Sequence, residues 1–407
     1  MTAILSTWTI RTLAGNGESG YMGDGGSSTQ ARLNEPKGVT IDCHGNVYVA
    51  DSENHVVRKI DRATGVISTV AGTSGEHHPR ATVARATVEW VEPAQAADED
   101  PLADEVDKTS SVKFTQQADL SGTVRYWTNQ TATSTKRYGG DGGLAVHAQL
   151  NFPTAVAVDR EGNFYIADTM NHRVRMVDSK TGIISTLAGT GQARFSGDGG
   201  PANQAALNEP AALAVDDRDR LYIADQSNHR VRVLDLKTGV IRTVAGTGMA
   251  TYDGDGKLAI DTALAGPSGL ALMDNRLYIA DTFNGRVRCV DLSSGLMTTV
   301  AGDGGVYRYE SPSDAPSPSL SRPTGIAFDH EGGLFLTDSD NHLIRQWDWE
   351  SGVACCLAGQ GVPSYSGDGG VAREAGLCYP FGIVADRDGT LLVADTFNHC
   401  IRILALE

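Results

Sequence analysis

Three sets of residues in this sequence could do chemistry. Five histidines, His55, His172, His229, His342 and His399, each follow an asparagine, and a ring of imidazoles is a ligand set for zinc or a related ion. Gly-Asp-Gly-Gly occurs at 23–26, 140–143, 197–200 and 367–370, with Gly-Asp-Gly-Lys at 254–257; its backbone could form an anion nest, or its Asp could ligate calcium. The third set flanks six prolines, reading Glu35/Lys37, Phe152/Thr154, Glu209/Ala211, Gly266/Ser268, Arg322/Thr324 and Tyr379/Phe381. There Glu35 or Glu209 would be a general base or a metal ligand. Arg322 or Lys37 would stabilise developing negative charge, and Phe152, Tyr379 and Phe381 would wall a substrate.

Repetition separates these sets. Ahead of a short Ala-rich stretch, Gly-Asp-Gly recurs in five connections without the Asp-x-Asp-x-Asp-Gly spacing of a calcium loop, so it reads as a turn closing onto a one-turn helix. The histidines sit on turns spread around a ring, too far apart to share an ion. Each is expected to bridge its own turn or a neighbouring blade, with the Asp four residues earlier as partner. The Arg three residues after each His is expected to pair with a carboxylate of its own unit. The proline-flanking positions differ from unit to unit while their neighbours agree. They read either as the lining of a site or as a solvated rim.

Short strands must position these residues. Ala-Asp, once Thr-Asp, recurs with its Asp at 51, 168, 225, 281, 338 and 395, at spacings of 117, 57, 56, 57 and 57. Within residues 201–246, four apolar segments separated by Asp, Asn and Gly turns read as four antiparallel strands, which is one propeller blade. The first strand of each blade lines the central channel, so the proline-flanking residues ring its mouth. The last unit ends after its third strand, and residues 8–15 match only a fourth. The N-terminal strand is therefore expected to complete the last blade and remove its open edge, giving six blades.

Asn-His-x-x-Arg at 54–58, 171–175, 228–232, 341–345 and 398–402, with Asn284-Gly285 as the departure, resembles the NHL-repeat family over all but roughly residues 74–137. The resemblance implies an all-β fold, a single six-bladed β-propeller over 1–407. It also implies kinship with metal-dependent lyases and lactone hydrolases of the same architecture. NHL-like peptide-amidating lyases carry zinc-binding His just after the first-strand proline. Here those positions are Lys37, Thr154, Ala211, Ser268, Thr324 and Phe381, which disfavours that activity.

Residues 74–137 are an insertion expected on the channel-mouth face. Alternating apolar residues at 81–91 and 112–127, with Trp90 and Trp127 as further substrate-binding candidates, flank an acidic stretch at 97–107. They read as a lid or interaction flap, or as a disordered loop. A formal charge of −16 disfavours nucleic acid, including the RNA that some NHL domains bind. No apolar run reaches membrane-span length, and the N-terminus has no signal-peptide pattern. The six cysteines show no paired spacing, which suits reduced thiols in the cytoplasm.

No serine-hydrolase elbow, zinc-protease or phosphate-loop motif is present. Two functions remain. One is a small-molecule-binding propeller, leaning toward a lyase or hydrolase, with its site at the channel mouth. The other is a protein-interaction scaffold without catalysis. The propeller is expected to fill the chain, with no RING, coiled-coil or kinase segment to be targeted, which favours the first. Substrate, metal and cofactor stay open.

Overall fold

Leu221, Tyr222, Ile223 and Ala224 show how the repeat becomes a blade. All four are buried although strand side chains alternate between faces. Leu221 and Ile223 pack with Ala167, Val174 and Leu213 on one side, and Tyr222 packs with Leu277 and Ile279 on the other. Both faces of the strand are covered, which is why it reads as a continuous apolar run rather than a half-polar one.

The computed structural model describes residues 7–74, 137–305 and 319–407. The insertion at 75–136, with Trp90 and Trp127, lies outside the described residues, so the expectation of a lid is not carried further. The described chain is an all-β propeller of six antiparallel blades. The first blade runs Pro36–Ile41, Val47–Asp51, Val56–Ile60 and Ile67–Ala71 from channel to rim, and the next four repeat this order. In the sixth, Pro380–Ala385, Leu391–Asp395 and Cys400–Leu406 are followed by Trp8–Ala14, which pairs antiparallel from Trp8 opposite Leu406 to Ala14 opposite Ile401. The N-terminal strand closes the ring as the sequence requires.

The core is divided into six clusters, each built from two adjoining blades. The innermost strands contact one another in ring order, Pro36–Ile41 lying between Pro153–Val158 and Pro380–Ala385. They approach closely: a Cβ on Gly382 would stand 2.6 Å from the Lys37 carbonyl oxygen. Glycine there lets backbone meet backbone just inside the mouth. Among the described residues, no helix is long and apolar enough to cross a membrane.

Candidate functional site at the channel mouth

Five of the six mouth positions are held by a turn of the preceding blade. Asp51 ends the second strand, and its carboxylate accepts the Asn34 N–H at 2.7 Å and the Asn54 side-chain N–H at 2.8 Å. Arg58, wholly buried, spans from Asp51 at 3.5 Å to Asp24 of the Gly-Asp-Gly-Gly element at 2.7 Å. The same network holds Arg175 between Asp168 and Asp141, and Arg402 between Asp395 and Asp368. Arg, Asp and the Gly-Asp-Gly turn are thus one structural unit, and the turn closes onto a single 3-10 turn, Ser28–Gln30 in the first blade. The expected His–Asp pairing is corrected: in these networks Asn and Arg take the carboxylate, and the imidazole faces the next blade.

The 3-10 turn Ser52–Asn54 ends at His55 with φ of 59°, a left-handed conformation. His55 Nδ1 accepts the Phe152 N–H at 3.0 Å, while Ser52 Oγ donates to the Pro153 carbonyl at 2.6 Å. This latch recurs from His172 to Glu209, His229 to Gly266, His342 to Tyr379 and His399 to Glu35, at 3.1 to 3.2 Å. All five latched residues have φ between 48° and 59°. For the four that carry a Cβ, that conformation costs about 1–2 kcal/mol each, which the imidazole bond helps to offset.

The sixth junction is a control within the chain. Gly285 replaces the histidine, and Arg322, the residue it would latch, is absent from the left-handed set. Its carbonyl is instead taken by the Ser339 N–H at 3.2 Å.

The latches bring part of the expected site together. Lys37 Nζ lies 4.2 Å from the Phe381 ring centre, 5.5 Å from Phe152 and 5.7 Å from Phe397. Glu35 Oε2 is 4.0 Å from the same nitrogen. Burial, the largest influence, holds the Lys37 pKa below the ordinary lysine value, and Arg322 adds to this; Glu35 and Glu53 pull the other way. Lys37, Glu35, Phe152 and Phe381 therefore form one cluster across the sixth, first and second blades.

The other candidates stand apart. Arg322 pairs with Asp340 at 3.4 Å, beside the Phe283 ring. Glu209 accepts Ser227 Oγ at 2.5 Å. Tyr379 packs edge-on against His342 and Phe397, with ring centres 4.4 and 5.2 Å apart. Burial raises the Asp340 pKa, opposed by Arg322, and pushes His342 down to about 4.

A second ring was not anticipated. Glu53, Met170, Ser227, Phe283, Asp340 and Phe397 occupy the variable position of the turn Asp-x-x-Asn, just before its Asn. Ser227, Phe283, Asp340 and Phe397 touch proline-flanking residues directly, and the Phe283 ring fills the space a side chain on Gly266 would need. The signal was present: this position varies while its neighbours agree, as the proline-flanking ones do. Among the described residues, no group of three or more His, Cys, Asp or Glu side chains is gathered to hold an ion.

The Teneurin NHL domain model matches residues 11–94 and 123–196, and the NHL repeat model matches 207–234 and 377–404. Protein SUPPRESSOR OF QUENCHING 1, chloroplastic, from Arabidopsis thaliana is 31% identical over 272 residues, 64% of this chain and 25% of that protein. The chain spans well under half the length of the curated relatives first matched. A Bacteroides thetaiotaomicron structural-genomics protein of unknown function superposes with a TM-score of 0.60 at 17% identity, over 99% of this chain and 76% of that one. A gluconolactonase from Xanthomonas campestris superposes with a TM-score of 0.50 at 13% identity, over 92% and 87%. At these identities the two structures show the shared fold alone.

Proposed function

The chain belongs to the NHL-repeat family of β-propellers, and on that premise we propose that it binds a small molecule at the channel mouth and acts on it as a lyase or hydrolase. The observation that carries this reading is the Lys37–Glu35 pair, 4.0 Å apart and enclosed by Phe381, Phe152 and Phe397. A largely desolvated cation and carboxylate between aromatic faces are costly to fold and suit a ligand with an apolar body and an oxygen-bearing head. Glu35 acts as the base. Lys37 faces charge that develops on the ligand's oxygen, and Phe152 and Phe381 wall it, with Tyr379 packed behind Phe397. Glu209, held by Ser227 Oγ, is a second polar group farther round the rim. The shared architecture with a gluconolactonase is in keeping with hydrolysis. A cytoplasmic setting is part of the proposal and suits six cysteines without a disulfide.

Thermal shift with a panel of small aromatic carboxylates and lactones tests the site. A ligand that stabilises the parent should stabilise Lys37→Met and Glu209→Gln less, while both variants melt near the parent when unliganded. Equal stabilisation of all three would remove the mouth as the site.

The scaffold reading retains one observation. Leu144, Val146 and Ile183, and Leu258, Ile260 and Leu296, are exposed apolar groups on two outer blade edges. A ligand-silent protein whose partner binding is lost on Ile260→Asp would favour it.

A further inference from the structure

Lys37 differs from the other charged groups of the mouth in what it lacks. Arg322 has Asp340, and Glu209 has the Ser227 hydroxyl. Among the described residues, no acceptor lies within hydrogen-bonding distance of Lys37 Nζ; the nearest carboxylate oxygen is the Glu35 one at 4.0 Å. Its side chain is 14% exposed, enough to be reached from the mouth. Three phenyl faces surround it, and the close approach of Gly382 to the Lys37 carbonyl fixes the backbone from which the side chain projects. An amine that is buried, within reach and unbonded is arranged as a nucleophile rather than as half of an ion pair.

We propose that Lys37 forms an imine with the carbonyl carbon of an aromatic or similarly apolar aldehyde or ketone held between Phe152, Phe381 and Phe397. This rests on the channel-mouth reading and deepens it by naming the substrate class. The Nζ lone pair attacks the carbonyl carbon, and the carbonyl π bond breaks toward oxygen. Glu35 carries one Nζ proton to that oxygen, giving the carbinolamine. The C–O bond then breaks as Glu35 delivers the second Nζ proton, and the oxygen departs as water. What remains is Nζ=C, with no net change at Glu35 and no oxidant or reductant consumed. Burial favours the neutral, attacking form of the amine.

The full chain is treated with benzaldehyde and sodium cyanoborohydride, which reduces imines in place, and lysine modification is followed by peptide mapping. Lys37 is expected to be alkylated at least about tenfold faster at neutral pH than the exposed Lys180 and Lys257, and to keep its rate at lower pH than they do. Glu35→Gln should slow modification at Lys37 several-fold and change its pH profile, leaving Lys180 unaffected. Lys37 labelling no faster than Lys180 overturns the proposal. An unchanged rate and pH profile in Glu35→Gln overturns the role of Glu35. Benzoate cannot condense: if it stabilises the parent through Lys37 while benzaldehyde leaves Lys37 unlabelled, ligand binding at the mouth stands and imine formation falls.

Discussion

The backbone N–H of Glu35 donates to Nδ1 of His399, 3.2 Å away, across the seam where the sixth blade meets the first. One bond therefore joins ring closure to the mouth, because it sets the left-handed backbone of a candidate catalytic residue. The four equivalent latches make this a property of the fold, and the Gly285–Arg322 junction shows the backbone taking another course without the imidazole.

The latches should be sensitive to acid. Nδ1 accepts only while the ring is neutral, and burial pushes His342 down to about 4 and lowers His172. An unfolded histidine takes its proton near pH 6.5, so this stabilisation is full above about 6.5 and is lost as pH falls toward the folded value. His342→Ala strands the Tyr379 N–H and is expected to cost about 1–3 kcal/mol at pH 7.5. Its melting temperature should then fall less steeply than the parent's between pH 6.5 and 4. Parallel curves would show that the bond contributes nothing.

Removal of residues 1–15 should open the sixth blade. The deletion takes away the strand paired with Cys400–Leu406, including Ile10, whose burial alone is worth about 1.5–3 kcal/mol. A marked drop in melting temperature and self-association through the freed edge are expected, checked by calorimetry and light scattering. An unchanged melting temperature would contradict closure.

The buried arginine networks should respond unequally to loss of their two carboxylates. Asp168 is fully buried and Asp141 is 34% exposed, although both hold Arg175. Asp168→Ala leaves a buried guanidinium short of charge and should cost about 3–5 kcal/mol in urea denaturation. Asp141→Ala, where water can replace the carboxylate, should cost clearly less. Equal losses would place the stabilisation elsewhere.

None of the six cysteines forms a disulfide in the structure. Under denaturing, non-reducing conditions six thiols should titrate. In the native protein exposed Cys43 should react first, since burial both covers Cys289 and Cys400 and raises their pKa. Early modification of Cys400 in the native state would mean that the third strand of the last blade opens readily.

Blade number, strand order and closure were legible in the chain alone, because each depends on local pattern repeated at a fixed interval. Ala-Asp, once Thr-Asp, marks the end of every second strand, and the missing fourth strand after Cys400 has its match at Trp8–Ala14. The proline-flanking residues were legible as a set for the same reason. Which of them meet was not. Lys37 reaches Phe152 and Phe381 because their strands flank its own, whereas Glu209 and Arg322 stand farther round the ring and bind Ser227 and Asp340. Phe397 joins Lys37 from a turn 360 residues away, and His399 positions Glu35 from 364 residues away. Periodicity specifies the place of each unit in the ring. Side-chain partnership depends on which blades adjoin once the ring closes, and on a left-handed backbone that the neighbouring blade's imidazole helps to hold in place.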